Sequence, residues 1–302
     1  MSTENNNQNQ EYSYLGDVWK QFSKHKGAVV GMLIFFTIIL TTILGPFVWR
    51  VNPDAKDLKH RNEGPTMAHP FGTDNLGRDM LAANLSGGRI SLSVGLIAMI
   101  ISIVIGTIIG LLSGYFSWLD GPLMRLTDLF LALPILPLLL VIIMLYRDTL
   151  RGVFGPELGI FILIVSIIGV TSWMNTARIV RGDVLAAKEQ EYVTAATALG
   201  SGGQRIIWKH ILPNVSSPIL VSAALGMASA IITESALSFL GLGFPSDIPT
   251  WGRLLFDAKD FMSLTPLRVV WPGMAISLIV LSVTYMGDGL RDALDPKIRS
   301  SK

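Results

Sequence analysis

Long stretches without a charged residue alternate with shorter polar segments along this chain of 302 residues. Six charge-free runs occupy residues 27–49, 90–119, 129–146, 158–177, 211–233 and 269–287. Because a helix rises about 1.5 Å per residue, roughly 20 apolar residues cross a hydrocarbon core about 30 Å thick. All six runs come close to or exceed this length. The pattern therefore predicts an all-α integral membrane protein with six transmembrane helices.

The polar segments between these runs indicate how the chain is organised. Residues 1–12 are rich in Asn, Gln and Glu and are expected to be disordered. The pattern from residue 14 favours a short helix on the membrane surface, with an irregular lead-in as the alternative. We predict a tail with this surface helix at 1–26, a first span at 27–49, a loop at 50–89 and a membrane-spanning core at 90–300. Within the core we predict spans at 90–114, 122–146 and 158–178, a polar segment at 179–213, and spans at 214–240 and 268–288.

Composition agrees with a membrane protein and excludes several functions. Charged residues make up 15% of the chain, against about 25% in soluble proteins. The net charge is +2 without a Lys/Arg-rich block, so no nucleic-acid partner is expected. The absence of cysteine excludes disulfides and thiolate metal sites. The chain has neither a GxxxxGK(S/T) phosphate loop nor an HExxH motif, so we expect no ATP site and no catalytic residue of its own.

The distribution of Lys and Arg does not orient the chain. These residues favour cytoplasmic loops. With the N-terminus inside, 13 basic residues would lie inside and 11 outside, which is too small a difference to decide.

Three charged residues near the apolar runs are candidate membrane-embedded polar groups. An acid at the bilayer centre costs about 3 kcal/mol, and one Leu recovers only about 0.5 kcal/mol. Glu234, directly after the fifth run, must therefore be paired, interfacial or exposed to a cavity. It either lines a translocation path or is an interfacial or capping carboxylate. Arg125 and Asp128, three residues apart, are predicted to pair on one helix face, with a place on the path as the alternative.

Prolines and glycines mark two further spans. Pro134 and Pro137 interrupt the helical hydrogen bonds of the third span and predict a kink, which could line a pathway. Gly106, Gly110 and Gly114 recur every four residues in the second span. This strip predicts a close helix-packing face, either within the chain or between subunits.

The most specific pattern lies in the polar segment 179–213. The sequence EYVTAATALG runs from Glu191 to Gly200, and Pro213 follows thirteen residues later. Alanines favour helix, whereas Gly200 and Pro213 interrupt it, which predicts a helix, a sharp bend and a second short helix. Ala195 and Ala196 are small and are expected to let another protein approach closely. The alternative is an amphipathic surface helix that simply stops at glycine.

This pattern resembles the EAA loop of bacterial ABC importer permeases. The residues that carry the resemblance are Glu191, Ala195, Ala196, Gly200, Leu212 and Pro213. Thr194 and His210 stand where the general consensus has Glu and often Ile, but both fit the dipeptide/oligopeptide/nickel branch. Three other stretches resemble the C-type permease subunit of that branch: HPFGTDNLGRD at 69–79, LSFLGLG at 237–243 with WG at 251–252, and GDGLRDALDP at 287–296.

The resemblance implies a type I importer fold in the bacterial cytoplasmic membrane, with both termini cytoplasmic. It also implies a homologous B-type permease subunit, two cytoplasmic ATPase subunits that bind ATP and Mg, an extracytoplasmic binding protein and a peptide substrate. This chain would contact lipid and hold no cofactor. Transport would proceed by alternating access, with the bent helix around Gly200 as a lever. Nickel or metal-chelate import is the alternative within the family, and an ATP-independent channel or transporter and a membrane enzyme are the alternatives outside it.

Overall fold

The computed structural model describes residues 14–294, and their side chains from residue 16. The predicted disordered tail and the end of the 287–296 stretch lie outside these residues. The helices are α1 Tyr14–Lys24, α2 Lys26–Val48, α3 Met80–Tyr115, α4 Ser117–Ala132, α5 Ile135–Phe154, α6 Pro156–Val170, α7 Trp173–Lys188, α8 Glu191–Ala198, α9 Gly203–Ile206, α10 Leu212–Asn214, α11 Ser216–Phe239, α12 Trp251–Ala258 and α13 Leu267–Leu294. A π-helical turn, Ile207–Ile211, joins α9 to α10, and two single 3₁₀ turns lie at Leu58–His60 and Lys259–Phe261.

The long helices confirm the prediction of an all-α membrane protein. Five elements are long and apolar enough to cross a membrane: α2, α3, α6 together with α7, α11 and α13. The bent pair α4 and α5 supplies a sixth if both are counted as one span. Within residues 14–294 the chain forms no β-strand, only an isolated bridge between Thr73 and Asp79.

The third predicted span, 122–146, is broken into two helices, so the prediction of one kinked helix is wrong. Helix α4 ends at Ala132, α5 begins at Ile135, and the two helices bend by 85°. Pro134 causes the break, because a proline disfavours helical conformation in the residue before it, and Leu133 is extended with ψ 136°. Pro137 does not interrupt the ladder. It lies in the first turn of α5, where backbone N–H groups have no helical partner.

Helix α3 begins ten residues earlier than the charge pattern indicates. The Asp79 carboxylate caps it by accepting a hydrogen bond from the Ala82 N–H at 2.7 Å. At about 1.5 Å per residue, its 36 residues extend about 54 Å, which exceeds the thickness of the hydrocarbon core. The last ten residues of the predicted loop 50–89 therefore belong to helix α3. Arg89, whose charge set the predicted boundary, lies within α3, and its guanidinium donates hydrogen bonds to the carbonyls of Thr42 and Ile43.

The glycine strip of α3 packs against α7 within this chain. A Cβ on Gly110 would lie 2.6 Å from Val180 Cβ, and one on Gly106 would lie 2.7 Å from Thr176 Cβ. A Cβ on Gly114 would lie 2.7 Å from Val184 Cβ. Because real Cβ contacts are never this short, only glycine permits the approach. The strip thus holds α7, and the polar segment that follows it, directly on α3.

Candidate functional site

The polar segment turns sharply at Gly200, which has φ +78°. The Ser201 N–H donates to Ala196 O at 3.0 Å and the Gly200 N–H donates to Thr197 O at 2.9 Å. This pair of hydrogen bonds is the Schellman arrangement that ends a helix, and glycine adopts the required left-handed backbone without steric cost. Glu191 lies in the first turn of α8, where its negative charge interacts favourably with the positive end of the helix dipole.

The second half of the bend contains a π-helical turn just before Pro213. The Leu212 N–H donates to Ile207 O, five residues back, instead of the usual four. A proline ring clashes with the carbonyl four residues before it, and a wider turn relieves this clash. Pro213 itself is exposed, whereas Leu212 is half-buried. The chain then enters the apolar helix α11.

An apolar cluster fixes the bent segment to the membrane helices. Val193 of α8, together with Ile206 and Ile211 after the bend, packs with Val180 and Val184 of α7, and all five are buried. The segment and α7 therefore form one packed unit. Together with the glycine strip, this cluster packs α8 against α7 and α7 against α3.

One face of the segment from α8 to its C-terminal cap is exposed on the surface of this chain. Tyr192, Ala195 and Leu199, spaced three and four residues apart, are all exposed, and Leu199 is 87% exposed. Tyr192 and Leu199 therefore present two large apolar side chains on the surface of this chain. Ala196, in contrast, is buried, so the prediction that it forms the accessible small-residue surface is wrong. Leu199 was not identified from the sequence as an exposed apolar residue. Its spacing of seven residues from Tyr192, in a polar helix, would have indicated that the two share a face.

Glu234 lies fully buried among hydroxyl groups, not at an exposed interface. Its Oε1 accepts a hydrogen bond from Ser238 Oγ at 2.8 Å, and its Oε2 accepts one from Ser91 Oγ at 3.2 Å. A third hydroxyl, Ser235 Oγ, lies 3.5 Å from Oε2. These donors satisfy a carboxyl group that would otherwise be costly to bury. Glu234 thus joins α11 to α3.

The same cluster holds the start of α12. The Trp251 N–H donates to Ser91 Oγ at 3.2 Å, and its indole N–H donates to Asn84 O at 3.2 Å. Gly252 lies so close to α11 that a Cβ on it would lie 2.5 Å from Ser235 Cα. The Trp-Gly pair at 251–252 therefore positions α12 between α3 and α11.

The predicted pair of Arg125 with Asp128 does not form. Asp128 binds Arg178 of α7, and Asp120 binds Arg181 of α7, with Nη2 2.6 Å from Oδ2. Arg125 is exposed. The reason is geometric: α4 lies beside α7, and an arginine fork can bind both oxygens of a facing carboxylate. Because both pairs are at least partly exposed, each contributes little stability.

The stretch 69–79 folds into a compact loop that covers the end of α13. His69 Nδ1 lies 2.8 Å from Asp79 Oδ2, and the Phe71 ring stacks on Trp271 with centroids 4.0 Å apart. Asp57 and His60 lie earlier in the connection between α2 and α3, where their mutual hydrogen bond lowers the pKa of Asp57 and raises the pKa of His60. The resemblance of this stretch to the permease family thus corresponds to a structured loop.

A buried arginine of α13 also attaches this loop to the helix. Arg268 donates hydrogen bonds to Asn62 Oδ1 at 3.0 Å and to Asn75 Oδ1 at 3.2 Å. It therefore joins both halves of the loop to the membrane-crossing helix.

Several membrane-crossing helices, joined by a polar helical bend, define a polytopic membrane component. Residues 102–300 match the family described as "Binding-protein-dependent transport system inner membrane component". Residues 13–65 match the "N-terminal TM domain of oligopeptide transport permease C". The chain therefore belongs to the family of inner-membrane components of binding-protein-dependent transport systems, and the predicted resemblance is confirmed.

Curated relatives are similar over nearly the whole chain. The dipeptide transport system permease protein DppC of Alkalihalophilus pseudofirmus is 37% identical over 285 residues, covering 94% of this chain and 90% of that protein. The oligopeptide transport system permease protein OppC of Bacillus subtilis is 39% identical over 284 residues, with the same coverage. DppC of Escherichia coli is 38% identical over 293 residues, covering 94% of each chain.

Proposed function

We propose that this chain is a permease subunit of an ATP-binding-cassette importer that moves dipeptides or oligopeptides across the cytoplasmic membrane. The observation that carries the proposal is the 37–39% identity, over at least 94% of this chain, to permeases named for dipeptide and oligopeptide transport. These names favour peptides over nickel as the cargo.

The proposed importer contains a homologous B-type permease, two ATPase subunits that hold ATP and Mg, and an extracytoplasmic binding protein. The exposed face of α8 supports this assignment, because it offers an ATPase subunit an apolar surface around Leu199. Docking there places residues 191–213 in the cytoplasm. If α4 and α5 are counted as one span, the chain has six spans, both termini are then cytoplasmic, and the loop 50–79 and helix α12 face outward.

Energy would enter the membrane region through the bent segment. When the ATPase subunits close, they displace α8, and the buried contacts of Val193 and Ile206 with α7 transmit the displacement. Two permease subunits would then switch between outward and inward openings. ATP can bias this equilibrium only through contacts that differ between the two states.

Uptake into proteoliposomes tests the proposal. The complete importer, supplied with its binding protein outside and ATP inside, is expected to accumulate a labelled dipeptide or tetrapeptide. Vesicles without this chain provide the control. Uptake of radioactive nickel without peptide uptake would show that the cargo is nickel and not a peptide. Peptide flux through this chain alone, without ATP, would instead establish a channel or an ATP-independent transporter.

A further inference from the structure

An apolar groove of about 710 Å³ lies between α3 and the segment that leads into α11. Its volume falls within the range of about 300–1,000 Å³ that is typical of small-molecule sites. One wall follows α3 from Ile103 to Phe116, a length of about 20 Å at about 1.5 Å per residue. This length slightly exceeds one leaflet of a hydrocarbon core about 30 Å thick.

The opposite wall belongs to the bent polar segment. Gln204, Trp208 and Leu212 recur every four residues along it, and Leu220 of α11 continues the surface. Trp208 is 62% exposed and Leu220 is 52% exposed. Tryptophan prefers the boundary between lipid tails and head groups. An exposed tryptophan on the wall of an apolar groove therefore suits a lipid chain that enters from the membrane boundary.

Positive charge lies beside this wall of the groove. Arg205 and Lys209 follow the lining residues Gln204 and Trp208 directly in the chain, and both are exposed. Among the described residues, neither belongs to any of the ion pairs that the structure contains. The groove lining itself carries no charged residue. An apolar groove with cations beside its wall complements an anionic amphiphile.

We infer that this groove binds an acyl chain of one anionic phospholipid, with its head group near Arg205 and Lys209. The inference relies on the proposed function only for the leaflet, which is the cytoplasmic one. A lipid bound here would fill the space between α3 and the bent segment. It would thereby support the part of the chain through which ATPase movement is transmitted.

Fluorescence quenching by brominated lipids tests this site on the full chain in its purified complex. The signal is the difference between the wild type and Trp208→Phe, which isolates the emission of Trp208. Dibrominated phosphatidylglycerol is expected to quench it at concentrations well below those needed for dibrominated phosphatidylcholine. Since each basic residue near a membrane surface contributes about fivefold, Arg205→Gln with Lys209→Gln should reduce this preference by about 25-fold.

A groove-filling variant provides an independent measurement. Ile108→Trp is expected to remove one retained phosphatidylglycerol in native mass spectrometry. Ile100→Trp is the matched control, because Ile100 is similarly exposed on the same helix, 48% against 51%, but lies outside the groove. Neither readout requires peptide uptake, so a failure of the proposed cargo leaves them unaffected. Any one of three results would overturn the inference. These are equal quenching by both lipids, unchanged lipid retention in Ile108→Trp, and shielding of Trp208 from both lipids by another subunit.

Discussion

The hydroxyl of Ser91 on α3 lies 3.2 Å from the carboxylate of Glu234 on α11 and also accepts the Trp251 N–H. One small side chain thus joins two membrane-crossing helices to the start of α12. The carboxyl group is fully buried, so these hydroxyl contacts replace the water that it would otherwise need. Glu234 is therefore assigned to the contact that positions α12.

Removal of this carboxyl group is expected to destabilise the protein. Glu234→Ala would leave Ser91 and Ser238 without their buried acceptor, and an unsatisfied buried polar group costs about 1–3 kcal/mol. Thr233→Ala is the neighbouring control, since the Thr233 hydroxyl bonds to Ser229 O within its own helix. The measurement is the thermal unfolding midpoint of the purified complex in detergent. A midpoint for Glu234→Ala equal to that of the control would refute the assignment.

The glycine strip gives a second prediction. In Gly110→Ala, the new Cβ would meet Val180 Cβ at 2.6 Å and Ala177 O at 2.8 Å, so α3 and α7 must move apart. Overpacking of this kind costs about 1–3 kcal/mol. Gly226→Ala in α11 is the control, because its Cβ would meet nothing closer than 3.8 Å. The free energy of unfolding should fall for Gly110→Ala alone, and equal values for both variants would contradict the close packing.

Much of the architecture could be predicted because bilayer thickness imposes a length on every span. Five of the six charge-free runs therefore correspond to a membrane-crossing helix, and the family motif located the bend at Gly200. The 85° break at Pro134 could not be predicted, because an internal proline is compatible with either a kink or a complete break. The hydrogen-bonding partners of Asp128 and Glu234 could not be predicted from the sequence either. Each is joined to side chains on other helices, and such pairs depend on tertiary packing, not on local spacing.

Asp79 combines a helix cap with two long-range contacts. Its carboxylate accepts hydrogen bonds from Ala82 N–H and from Trp49 Nε1, and it pairs with His69. Loss of a capping side chain alone costs about 0.5–2 kcal/mol. We expect Asp79→Ala to loosen the loop 50–79 and to accelerate its cleavage by protease. The exposed Asp54, in the same loop, supplies the control Asp54→Ala, and equal cleavage rates would contradict the assigned role of Asp79.

The central claim is that ATPase subunits drive peptide transport through the exposed face of α8. Leu199 is 87% exposed and lies beside the bend at Gly200, so a charge there would disturb docking without disturbing the packing of this chain. Leu58, 64% exposed in the loop 50–79, allows a matched substitution at the proposed outer surface, where no ATPase contact is expected.

The most direct measurement is ATP-driven uptake of a labelled dipeptide into proteoliposomes containing equal amounts of inserted permease. Leu199→Asp is expected to reduce uptake by at least tenfold, on the order of the 1.4 kcal/mol that one disrupted contact can supply. Leu58→Asp should retain its ATPase subunits and most of its uptake. Uptake by Leu199→Asp equal to that of the wild type would contradict the assignment of α8 as the coupling surface.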